Sequence, residues 1–136
     1  MIYTMSIQDY SYGNKYDSVF LVVRSLTALK HRGDPILSVA EHLPVLSPDT
    51  SLFNDYLYWR SHNLWNNETF NTKYRRRFLE QLYSDEATLA ALVDIIAQSK
   101  SGKQIALLCY CKDVNLCHRK ILGEILSDLG SEVYIA

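Results

Sequence analysis

The chain has little of several things, and each shortage excludes a class of protein. It carries only three cysteines in 136 residues, all within Cys109–Cys117. An odd, clustered set is not a disulfide framework, and it suits a reducing cytosol. There is no apolar run near the roughly 20 residues that a membrane span needs. Met1-Ile2-Tyr3-Thr4 leads straight into a strand pattern without a basic stretch, so no secretory leader is expected. There is no excess of positive charge either. The formal net charge is -1 and the pI about 6.4, which argues against a protein built to wrap nucleic acid. With five glycines and three prolines the chain shows no linker, repeat or low-complexity segment.

What remains is a globular composition, 48% hydrophobic and 21% charged. The length fits a single domain over 1–136, with enough chain to bury a core unaided by metals or disulfides. Strands are predicted over 2–7, 18–23, 103–109 and 132–135. The second, Val19-Phe20-Leu21-Val22-Val23, is apolar throughout, as in a strand covered on both faces. Residues 36–46 are ambiguous. Ser47-Pro48-Asp49 predicts a helix to about Arg60, with Ser47 as cap and Pro48 in the first turn. Phe70, Tyr74, Phe78 and Leu82, spaced by fours, predict a long helix over 67–83. A further helix from 84 to about 99 is expected to turn Leu89, Leu92, Val93 and Ile96 inward, and another helix is expected over 118–129. Strands alternating with helices predict an α/β fold. The expected form is a small, mainly parallel sheet flanked by helices, Rossmann-like and three-layered, with a helical insertion over 47–99.

Chemistry concentrates in Cys109-Tyr110-Cys111 through Cys117-His118-Arg119, between the third predicted strand and a helix. In an open α/β sheet, ligands bind outside the carboxyl ends of the strands. Cys109 and Cys111 share a strand face. Cys109, the deeper, reads as a core residue. Cys111 and Cys117 are the candidate catalytic thiols, since a thiol near a helix N-terminus and Arg119 can gain nucleophilicity. The competing reading of Cys111 is a packed thiol. His118 is a candidate proton-transfer group, with capping or packing as its plainer role. Arg119, together with Arg24 and Ser25 at the end of the second strand, is a candidate anion site, against the plainer reading of solvated surface arginines.

Other chemistries fit less well. Zinc is disfavoured, because adjacent Cys117 and His118 at one helix start rarely aim at one ion and the paired spacings are missing. No metal and no cofactor is therefore expected. A redox pair lacks the Cys-x-x-Cys spacing. A Cys-x5-Arg phosphatase loop is not matched, since Arg119 lies eight residues beyond Cys111. Arg75-Arg76-Arg77 reads as a solvated helix face rather than a nucleic-acid patch. Tyr56, Tyr58, Trp59 and Trp65 read as core, with Trp59 and Trp65 able to wall a pocket suited to a nucleotide. His31, His42 and His62 are isolated and carry no assignment.

Leu107-Leu108-Cys109, a polar loop, then Cys117-His118-Arg119 opening a helix resembles the motif of domain-of-unknown-function family 488, the YeaO-like proteins. Ile2-Tyr3-Thr4, Val22-Val23-Arg24-Ser25 and the segment from Leu46-Ser47-Pro48 to Leu52 fall in the family's order, as do Phe70, Tyr74 and Leu82. Two positions depart: Cys111 and Val22 stand where the family often has acids. The resemblance implies a fold and a site, without a reaction. The combined expectation is a cytoplasmic protein that binds a small phosphorylated or nucleotide-like anion, with no membrane or nucleic-acid partner, acting as a hydrolase or transferase. The alternatives are a protein that only sequesters such a ligand and a protein-interaction module.

Overall fold

The structure is a computed structural model describing residues 1–136. Five parallel strands form one sheet: β1 (Ile2–Ser6), β2 (Ser18–Leu21), β3 (Glu41–His42), β4 (Ile105–Cys109) and β5 (Val133–Ile135), in the order β3-β2-β4-β1-β5. Helices flank the sheet in a three-layer α/β arrangement: α1 (Thr27–His31), α2 (Thr50–Ser61), α3 (Asn67–Thr69), α4 (Arg75–Ser84), α5 (Glu86–Lys100) and α6 (His118–Asp128). β4 is central and every one of its residues is buried. It runs parallel to β2 with Phe20 opposite Leu107, as two continuous apolar runs predict. The helices α2 to α5 fill the expected insertion between β3 and β4.

β2 ends at Leu21, two residues before its apolar run does. Val22 and Val23 stay buried, and their carbonyls accept from the Nε2 atoms of His118 and His42, each at 2.7 Å. Two imidazoles thus take over from the strand ladder where the backbone would otherwise leave buried acceptors unpaired. This gives His42 a structural role. The ambiguous 36–46 stretch resolves into the two-residue β3 between 3-10 turns at Pro35–Ser38 and Pro44–Leu46. Each turn begins at a proline, whose fixed φ suits a turn and whose missing N–H interrupts a ladder.

The start of α2 differs from the sequence expectation. Asp49 is the cap, accepting from the Leu52 N–H at 2.8 Å. Ser47 instead donates back to the Pro44 carbonyl at 2.6 Å. Residues 67–84 form one continuous helix, with a π turn at Phe70–Tyr74 joining α3 to α4. Four residues overshoot an α-helical turn by about 40°, whereas the wider π turn falls short. Mixing the two keeps Phe70, Tyr74, Phe78 and Leu82 on one buried face. In α5 the inward face is Thr88, Leu92 and Ile95, while Val93 is 65% exposed. Of the four residues expected inward, Leu92 is buried, Leu89 and Ile96 are half-buried and Val93 faces out, because Leu92 and Ile95 already span the stripe that meets the core. The arginine run is not simply solvated. Arg75 pairs with Glu124 of α6 at 2.5 Å, and Arg77 pairs with Asp55 of α2.

Candidate functional site

The sheet's carboxyl edge carries a cavity of about 410 Å³. β2 leads into Val23, Arg24 and Ser25 on one wall. β4 leads into Tyr110 and Cys111, and α6 begins with His118. The insertion supplies the rest: Ser47, Pro48, Phe53, Tyr56, Leu57, Arg60, Trp65 and Tyr74, with Leu116 from the loop before α6. A switch between apolar strand and polar loop therefore occurs twice, at β2 and β4, and neighbouring parallel strands bring the two switches together.

Aromatic rings set the shape of the insertion wall. Trp65 meets Tyr56 and Tyr74 edge-on at 4.9 and 5.2 Å between centroids, and Trp59 stacks behind it at 6.0 Å. Trp59 is thus backing and Trp65 is lining, while Tyr58 points away and is 54% exposed. Two cations sit on this wall. The Arg24 guanidinium lies 4.3 Å over the Phe53 ring and donates to Thr50 Oγ1 at 3.1 Å. Arg60 lies over Tyr56, 5.6 Å from its centroid, and donates to its hydroxyl at 3.1 Å. Neither has a carboxylate partner. Arg60 was not foreseen. Its position eight residues after Leu52 on α2 marks only a helix surface, and the sheet edge it faces is distant in sequence. Ser25 lines the rim, bonded to Thr27 Oγ1 at 2.8 Å, and its carbonyl accepts from the Tyr110 hydroxyl at 2.8 Å.

Arg119 is not beside Arg24. It is 1% exposed and does not line the cavity, so the expected two-arginine clamp is not formed. Its donors are committed to the protein. Nε binds the Ala136 carbonyl at 3.1 Å, Nη1 binds the Cys111 carbonyl at 2.6 Å and Cys109 Sγ at 3.3 Å, and Nη2 binds the Lys112 carbonyl at 3.4 Å. The reason is the loop itself. After β4 the chain turns back, and its carbonyls point into space that only a long donor on the first turn of α6 can reach.

The three cysteines converge. Their sulfurs all lie within 4.8 Å of one another, with Cys109 and Cys117 at 3.1 Å. Cys109 and Cys117 are each 1% exposed, and Cys111 is half-buried and lines the cavity. Cys117 is therefore not the accessible thiol expected from its place before α6. Nor is Cys109 a plain core residue. Hydrogen bonds from the Cys111 and Cys117 thiols hold its pKa well below the ordinary thiol value, and the charge of Arg119 adds to this. The cost falls on its neighbours. Donation to Cys109 raises the Cys111 pKa, and burial pushes Cys117 up to about 12. The three thiols thus differ in acidity, and the one that Arg119 touches is the most readily ionised. Burial alone would lower the Arg119 pKa, but the charge on Cys109 more than offsets this and raises it.

His118 is buried, lines the cavity and packs edge-on against Phe78 at 5.7 Å. A carbonyl can only accept, so the bond to Val22 places a proton on Nε2. Nδ1 is then the nitrogen free for chemistry, and it lies 3.7 Å from Cys117 Sγ.

No helix is long and apolar enough to cross a membrane. No curated protein and no solved structure matches the chain. Residues 2–130 match the family model DUF488-N3a, described as the active DUF488-N3 subclade, and with nearly the whole chain covered the protein belongs to the DUF488 family.

Proposed function

We propose that this protein binds a small nucleotide-like anion in the cavity and acts on it as a hydrolase or transferase, with Cys111 as the nucleophile. The observation that carries the reading is the composition of one concave site. Arg24 and Arg60 stand without carboxylate partners on an aromatic wall, and Cys111 and His118 line the same space. Guanidinium groups recognise phosphate or carboxylate, and the aromatic rings around Trp65 offer apolar faces to a base. Cys111 is the one cysteine that lines the cavity. The His118 imidazole, which lines the same cavity, is the proton acceptor that ionising Cys111 requires. The reduced, clustered thiols fit a cytosolic setting.

Trp65 lines the cavity, so its fluorescence can report binding. Titration with nucleoside monophosphates and with inorganic phosphate should show tighter binding of the nucleotides, because only they use the rings and the arginines together. Equal affinity for both, or no binding of either, defeats the reading. Cys111→Ser then separates catalysis from sequestration. An enzyme keeps binding and loses turnover or its covalent adduct, whereas a sequestering protein changes in neither.

A further inference from the structure

We propose that Cys109, Cys111 and Cys117 form a binding site for one thiophilic divalent cation, with Zn2+ the foremost occupant, and that its binding masks the Cys111 thiol. The inference stands on the three sulfurs and their surroundings, independently of what fills the cavity. In tetrahedral zinc–thiolate geometry the sulfurs lie about 3.8 Å apart. The spacings here, 3.1 Å for one pair and at most 4.8 Å for any, bracket that value. An ion can therefore be taken up with shifts of side chains alone.

The charge around the sulfurs is a second observation. Arg119 is buried beside them and donates to the Cys109 sulfur, to the Cys111 and Lys112 carbonyls and to the main-chain oxygen of Ala136. A buried guanidinium needs a compensating negative charge. Three thiolates and one divalent cation sum to a single negative charge, and Arg119 cancels it. Its N–H donation to Cys109 Sγ is also the kind of outer contact that orients a metal-bound thiolate.

His118 supplies a third. Its Nε2–H is held by the Val22 carbonyl, which leaves the Nδ1 lone pair 3.7 Å from Cys117 Sγ as the nearest further donor. Metal-bound imidazoles are commonly fixed in this way through their other nitrogen. Sequence spacing disfavoured zinc because Cys117 and His118 are adjacent. The fold removes that objection, since three sulfurs suffice to hold the ion, Cys109 and Cys111 coming from the end of β4 and Cys117 from the start of α6. On loading, the sulfurs bind as thiolates and release their protons to solvent. A sulfur so engaged does not attack a ligand.

The test uses the full chain, reduced and stripped of metal. It is titrated with Zn2+ against a chromophoric chelator, and separately with Co2+. The expected result is one ion per chain, with thiolate-to-cobalt charge-transfer absorption. Cys111→Ser, at a half-exposed position, should keep its circular dichroism spectrum. It should weaken Zn2+ by more than the roughly 10–100-fold loss typical of an outer-shell partner. Zn2+ should also slow alkylation of Cys111 by iodoacetamide at least about tenfold. Absence of the charge-transfer band, or Zn2+ affinity unchanged in a folded Cys111→Ser protein, overturns the site. Arg24→Ala keeps the two ideas apart. It should leave Zn2+ binding intact, and failure of nucleotide binding in the parent protein would count against the cavity reading alone.

Discussion

Arg24 and Arg119 follow two adjacent buried strands at the same edge of the sheet, yet they belong to different regions. Behind the loop that joins β4 to α6, Arg119 is sealed in, and every donor it uses is spent on loop carbonyls, the Ala136 carbonyl and Cys109. In front of the loop, Arg24 and Arg60 lie against aromatic faces in an open cavity and keep unspent donors. The same side chain is thus a structural pin in one place and, in the function proposed, a recognition group in the other. Burial with committed donors, rather than residue type or strand position, separates the two roles.

The sharpest way to break this comparison is to remove each arginine. Arg119→Ala should cost about 3–5 kcal/mol in urea unfolding, since it strips a buried charge from Cys109 and leaves carbonyls unpaired. A loss below about 1 kcal/mol, the level of an ordinary surface change, would mean the sealed region is not sealed. Gly123→Ala tests how tightly that same side is closed. A Cβ there would lie 2.7 Å from two atoms of the Ile135 side chain, so α6 must move off β5 or Ile135 must leave its rotamer. The expected loss is about 1–3 kcal/mol by thermal or urea unfolding. In the open region, Arg24→Ala and Arg60→Ala should each weaken nucleotide binding by roughly tenfold, the worth of a charge-assisted hydrogen bond. Their unfolding midpoints should stay close to the parent's. Stability losses as large as that of Arg119→Ala would erase the distinction.

The thiols offer a finer contrast. Brief alkylation followed by mass spectrometry should label Cys111 first, because Cys109 and Cys117 are each 1% exposed. Early labelling of Cys117 would mean that the loop opens readily. The smallest effect is expected at Val93, 65% exposed on α5. Val93→Lys should change stability by no more than about 0.5 kcal/mol, whereas Leu92→Ala should cost about 2–5 kcal/mol.

Much of the architecture was legible because it depends on local pattern. Continuous apolar runs marked β2 and β4 as buried parallel strands, and the four-residue spacing from Phe70 to Leu82 marked the long helix. Small displacements had local causes that the pattern did not rank: Asp49 outcompeted Ser47 as a cap, and Thr88, Leu92 and Ile95 took the inner face that Val93 had been expected to share. The site was legible in part. Cys111, His118, Arg24 and Ser25 do line one cavity, as a polar cluster after β4 and the end of β2 suggested. Arg60 and the meeting of three sulfurs were not visible, since both rest on contacts between distant segments or on how one loop turns back.

By itself the sequence determined the α/β class, the family motif and the place in the chain where reactive side chains accumulate, because periodicity and residue type act over a few positions. Only the tertiary structure decided which way each side chain faces across the β4–α6 loop. That choice depends on where unpaired carbonyls and neighbouring charges fall in space. It put Arg119 and two of the three thiols behind the loop and left Cys111 in front, beside two arginines from other parts of the chain.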